Sequence, residues 1–243
     1  MKQTQRLEVP RSDKLVQTLA SSIGVVRPKV VIESGTFLGT GSTRLILEAL
    51  GTTRPEAFYT IEVSPSLVEQ ARVNLAAFPW VQVVWGLSVT RQEAISFIES
   101  DPLLRDLDPE LDIFVDFLPD PRSGYLNEIR CGIGSGDAQN APEGVLVPPL
   151  IKHRADRPLI TLDSAGEMGW LEFQVVRETM GDQLYLLFLD DINHIKHYRS
   201  KLFIESSEDF AVYGSDWEEG WMVAGHRIEP WHSGPSGSAA SAI

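Results

Sequence analysis

Val30-Val31-Ile32-Glu33-Ser34-Gly35-Thr36-Phe37-Leu38-Gly39-Thr40-Gly41-Ser42 is the stretch whose reading decides the fold. Three apolar residues run into an acid, three glycines follow, and a helical pattern begins after Ser42. That order predicts a strand, a tight glycine turn and the start of a helix. Missing side chains let a ligand lie against the backbone, and a helix N-terminus presents free N–H groups. A turn of this kind at the carboxyl end of a first strand is a place where nucleotide-like ligands bind.

The glycine spacing is E-x-G-x-x-x-G-x-G. A dinucleotide fingerprint needs a third glycine three positions after Gly41, where Arg44 stands. The pattern resembles motif I of the class I S-adenosylmethionine (SAM)-dependent methyltransferases. The next strand, about 57–63, ends in Glu62, which lies 21 positions after Gly41. A carboxylate there can accept both hydroxyls of a ribose. Ser64 and Pro65 then read as N-cap and first helical residue, and Val68, Ala71, Leu75 and Phe78 recur at helical spacing.

Outward from this pair of units, strand and helix alternate. A helix is expected over 13–24 and another over 42–50, with Gly51 as its C-cap. A third strand covers 81–85, and Thr90 with Glu93 makes a capping-box signature for the helix after it. Leu111 to Leu118 suits either a strand or a buried helix. From Pro119 to Pro158 glycine and proline crowd the chain, and the segment reads as an ordered, lid-like insertion. Regularity returns with a strand at 159–162, a helix at 168–180 and a strand at 184–189. Two late strands, about 209–214 and 220–228, read as a hairpin with Gly214, Ser215 and Asp216 at its turn. Residues 233–243 read as a flexible tail.

Alternation of this kind predicts an α/β fold with a parallel sheet and helices on both faces. The methyltransferase resemblance adds a Rossmann-like, doubly wound, seven-stranded sheet whose C-terminal hairpin is antiparallel. Residues 1–232 are then one SAM-binding domain. Net charge is −13, which speaks against nucleic acid and anionic membranes as partners. Cys131 is the single cysteine, and neither a signal peptide nor an 18-residue apolar run is visible. The cytoplasm is the expected compartment, and a homodimer remains open.

Asp163, Asp190 and Asp191 stand at predicted strand ends, where a parallel sheet gathers them on the edge that carries Glu33 and Glu62. Crowded carboxylates need a compensating cation, and Mg²⁺ with oxygen ligands meets that need. The arrangement is similar to the metal site of the divalent-cation-dependent O-methyltransferases of catechol and macrocin type. It departs from some macrocin-type members, which carry a second acid two residues after the first, where Ala165 stands here. Each aspartate equally suits a helix cap. Asn193, His194 and Lys196 follow the acidic pair and could face a substrate. His194 and His197 superficially suggest zinc, but no third histidine or cysteine clusters with them.

The resemblance implies a small-molecule acceptor methylated from SAM, most naturally at oxygen. Glu33, Gly35, Thr36, Gly39, Gly41, Ser42, Glu62, Gly86 and Ser88 would hold SAM. Asp163, Asp190 and Asp191 would hold Mg²⁺. Asp163, Asp191, His194 and Lys196 would serve catalysis. The alternatives are an NAD(P)-dependent oxidoreductase and a SAM-binding module without chemistry.

Overall fold

The computed structural model describes residues 2–3, 12–131 and 140–228. In chain order the elements are β1 (Lys2–Gln3), α1 (Asp13–Val26), β2 (Val30–Ser34), α2 (Ser42–Leu50), β3 (Ala57–Glu62) and α3 (Pro65–Asn74). Next come β4 (Val81–Trp85), α4 (Arg91–Ser100), α5 (Pro102–Arg105), β5 (Phe114–Val115), α6 (Pro121–Cys131) and α7 (Val147–Lys152). The last are β6 (Leu159–Leu162), α8 (Met168–Met180), β7 (Tyr185–Asp190), α9 (Ile195–Ser206), β8 (Phe210–Asp216) and β9 (Trp221–His226).

Seven strands form the main sheet in the order β4-β3-β2-β6-β7-β9-β8. Neighbours from β4 to β7 pair in parallel, and β9 runs antiparallel to both β7 and β8. The order reverses direction between β2 and β6, so the carboxyl ends of these strands flank a crevice there. Side chains alternate across the sheet. Val30, Ile32, Leu187 and Leu189 enter a core with Phe173 and Val176 of α8, whereas Val31, Leu186 and Phe188 enter one with α1 and α2. Burial on both faces is why these strands read as unbroken apolar runs. A third cluster, with Ile98, Ile113, Val115, Tyr125 and Ile195, anchors α4, α6 and α9 beside the crevice.

Thr90 and Glu93 make the expected capping box at the start of α4. Several sequence expectations are sharpened, and the place of the hairpin turn is corrected. The 111–118 segment yields only β5, which pairs with β1 outside the main sheet. The described part of 119–158 is built around α6 and α7, with residues 132–139 outside the described residues. The hairpin turn falls at 217–220, because Gly214, Ser215 and Asp216 pair with β9 through a bulge after Val212. Ser64 is the N-cap residue of α3 and Pro65 its first residue, as expected, but the Ser64 hydroxyl lies 3.0 Å from that of Ser66 instead of bonding a helix N–H. The tail from 233 lies outside the described residues.

Candidate active site

β2 hands the chain to the glycine turn, and the Gly35 and Thr36 amides both donate to the Ile61 carbonyl of β3, at 3.1 and 3.0 Å. Gly35 has φ +95°, and a Cβ there would lie 2.0 Å from the Asp163 carbonyl oxygen. Gly39 has φ +70°, and its Cβ would press on Leu75 at 2.9 Å. These two glycines are therefore demanded by the protein's own close approaches. Gly41 leads into α2, and no side chain caps that helix.

Glu33 is fully buried beneath the turn. Ser42 Oγ donates to one of its oxygens at 2.8 Å, and Thr43 Oγ1 and Thr60 Oγ1 donate to the other at 2.6 Å. Thr36 Oγ1 lies 2.6 Å from Thr60 Oγ1. Burial pushes the Glu33 carboxyl up to about 7 against the pull of the three hydroxyls. Glu33, Thr36 and Ser42 thus form one buried network that fixes the turn to α2 and β3. Thr43 and Thr60 belong to it and were missed. Their only sequence signal was a hydroxyl just after the glycines and one inside an apolar strand.

Glu62 ends β3 as expected, accepting the Phe37 amide at 2.8 Å and the Ser64 amide at 2.9 Å. Burial raises its pKa, and these amides oppose the rise. Beyond it opens an apolar cleft of about 70 Å³, bounded by Val63, Leu87, Ser88, Ala94, Tyr125 and Glu128 among others. Ser88 lines it just past β4, whereas Gly86, the residue after β4, is not among its lining residues. Residues 142–146 run along 86–88, with Leu87 N–H donating to Pro142 O at 2.8 Å and Leu146 N–H to Ser88 O at 3.1 Å. A Cβ on Gly86 would meet Val145 at 2.6 Å, so this glycine also serves an internal approach. Glu172 of α8 lies under the same edge, accepting Ser34 Oγ at 2.6 Å and Ser164 Oγ at 2.8 Å. Its position inside an apolar helix gave no warning of that role.

Asp163, Asp190 and Asp191 come together. One carboxylate oxygen from each lies within 4.8 Å of the others. None of them is a helix cap, since α8 starts from Glu167 and α9 from His194. Lys196 reaches into the cluster. Its Nζ lies 2.8 Å from Asp191 Oδ2, 3.3 Å from Asp163 Oδ1 and 3.2 Å from the Ser164 carbonyl. Burial would lower the lysine, but Asp191, Asp163 and Asp190 hold it well above its usual range. Burial also favours protonation of Asp191, yet the Lys196 ammonium outweighs it and the carboxyl lies below its ordinary value. Asp190 is pushed up by burial and by the two neighbouring carboxylates. Its buried Oδ1 has no hydrogen-bond partner among the described residues.

His194 is buried, with Nε2 3.2 Å from Asp116 Oδ2 and Nδ1 accepting the Lys196 amide at 3.2 Å. Asn193 turns away to donate to the Trp217 carbonyl at 2.8 Å. His197 points into the core between Leu162 O and Ser200 Oγ, and burial drops it to about 3. The two histidines do not converge, so the superficial zinc pattern dissolves.

No family model matches the chain, and no curated protein matches it. Among solved structures, cofactor-bound Rv0187 from MTB superposes with TM-score 0.50 at 14% identity, covering 93% of this chain and 85% of that one. The O-methyltransferase from Bacillus cereus in complex with SAH gives TM-score 0.49 at 13% identity, covering 90% and 83%. A methyltransferase from Geobacter sulfurreducens gives 0.49 at 11%, covering 90% and 81%. At these identities the likeness is one of fold, the mixed α/β architecture with a mostly parallel seven-stranded sheet. No described helix is long and apolar enough to cross a membrane.

Proposed function

We propose that this protein is a SAM-dependent methyltransferase acting on a small-molecule acceptor, at oxygen. The observation that carries the reading is one continuous edge. It holds the glycine turn with the uncapped start of α2, then Glu62, then the apolar cleft, and beside them the aspartate cluster. The N–H groups at the start of α2 suit a carboxylate. Each oxygen of Glu62 takes one backbone N–H and has a further lone pair for a ribose hydroxyl. The apolar cleft next to Val63 suits a purine ring. Glu33 acts from behind, holding the turn rather than touching the cofactor. SAM supplies a methyl group on a sulfonium. The protein's task is to orient the acceptor and take up its proton. Asp163 keeps part of its side chain open and burial raises its carboxyl above the ordinary value, so it is the carboxylate at this edge better suited to do so than Asp191, which Lys196 holds low.

Mg²⁺ is the finer part of the reading. Three converging carboxylates and an orphaned Asp190 oxygen make a suitable donor set. The Lys196 ammonium, however, already lies against two of the three, and a divalent ion does not fit alongside it. No step is therefore assigned to a metal.

A thermal-shift panel with SAM, S-adenosylhomocysteine (SAH), NAD and NADP tests the proposal. SAM and SAH are expected to raise Tm, by about 2.7 kcal/mol of added stability at a hundredfold excess over Kd. Stabilisation by NAD with none by SAH would select the oxidoreductase reading. SAH binding without turnover on any acceptor would favour a non-catalytic module.

A further inference from the structure

The structure assigns to Lys196 the part of resident cation in the aspartate cluster: its ammonium holds the place between Asp163 and Asp191 that a divalent ion would take. The inference deepens the methyl-transfer reading, and rests on it for the consequence that turnover needs no metal.

Three features support it. The ammonium has three N–H donors, and three oxygens stand within reach: Asp191 Oδ2, Asp163 Oδ1 and Ser164 O. The lysine is also held from its own backbone. Its N–H donates to His194 Nδ1, and His194 is in turn fixed by Asp116. Its side chain is only 7% exposed, so the ammonium is largely shielded from solvent. Finally, Mg²⁺ binds oxygens at about 2.0–2.1 Å in a near-octahedral shell. An ion among these carboxylates would stand within a few ångströms of the Lys196 ammonium, and two cations that close repel, the more so because the ammonium is largely shielded from water.

Lys196 is on this view a positioning residue. With every donor engaged, it has none left for an acceptor, and it sets the arrangement of Asp163 and Asp191 instead. This differs from the catalytic part expected from the sequence.

Calorimetric titration of the full chain with MgCl₂ and with MnCl₂ tests the assignment. No saturable isotherm is expected. Lys196→Met keeps the stem and removes the charge. It is expected to melt lower in metal-free buffer, and then to gain a divalent-ion site, with Mn²⁺ or Mg²⁺ restoring Tm. Adding Asp190→Asn to Lys196→Met should abolish that gain. A lysine with a merely structural part would give no new metal binding when removed. A saturable wild-type isotherm that Asp190→Asn eliminates would overturn the assignment. So would a folded Lys196→Met protein that ignores both ions. If Lys196→Met does not fold, the wild-type titration decides alone. The SAH shift is read separately on the same protein. Its absence beside a silent metal titration would sink methyl transfer and leave Lys196 where it is assigned.

Discussion

A methyl group on Gly35 would sit 2.0 Å from the Asp163 carbonyl oxygen, on a residue whose φ is +95°. Gly35→Ala therefore strains the backbone and forces β2 and β6 apart at their carboxyl ends. We expect a loss on the order of 3 kcal/mol in urea denaturation. Were the glycine there only to make room for a ligand, stability would be unchanged and SAH binding alone would fall. Glu33 offers a second measurement. Its carboxyl titrates near 4.5 in an unfolded chain and is pushed up to about 7 in the fold by burial. Between those pH values the unfolded chain gives up a proton that the folded one keeps. Stability from this group is full below about 4.5, falls as pH rises, and is level above about 7. Glu33→Gln removes the slope. The variant should gain on the wild type by roughly 3 kcal/mol in total between pH 4.5 and 7. Parallel stability curves for the two proteins across that range would show that Glu33 does not titrate there.

At the scale of elements, α6 is the segment to watch. Its residues Tyr125, Glu128 and Ile129 line the cleft opposite Val63 and Leu87. Burial, with Asp116 nearby, pushes Glu128 up to about 7. A ligand in the cleft would complete the packing of this helix, so amides of 121–131 should exchange more slowly with SAH than without it. Equal and strong protection in both states would make α6 a fixed wall. The sequence marked 119–158 as a lid because glycine and proline crowd it, but it concealed the helices. Pro121 opens α6, and α7 carries proline in its first turn, where its fixed φ and missing N–H suit a helix start. Gly124 is tolerated inside α6 because a Cβ there would meet the Phe117 ring at 2.2 Å. The same residues that look like breakers along the chain are thus a start signal and a contact.

At the scale of the molecule, Arg199 joins parts that are distant in sequence. Its guanidinium bonds Asp101 at 2.9 and 2.5 Å and Glu167 at 2.8 Å, tying α9 to the α4–α5 junction and to the start of α8. Both carboxylate side chains are fully buried. Arg199→Met would leave them without a cation. The expected cost is about 3–5 kcal/mol by chemical denaturation, and a loss under 1 kcal/mol would mean that Asp101 and Glu167 find other compensation. Nothing in the sequence announced this triad, since its members are spaced by 66 and 32 positions. What the sequence determined by itself is the sheet. Val30–Ser34, Ala57–Glu62, Val81–Trp85, Leu159–Leu162 and Tyr185–Asp190 are local apolar runs closed by turn residues, and local patterns survive in a linear reading. It also placed Glu62 and the three aspartates on one edge, because parallel strands bring their ends together whatever separates them in the chain. Only the tertiary structure decided what those groups meet. Glu33 is enclosed by Ser42, Thr43 and Thr60, Gly35 yields to the Asp163 carbonyl, and Lys196 enters the aspartate cluster. Such contacts depend on which side chains two elements present to one another at a given distance, and periodicity along one chain does not encode that distance.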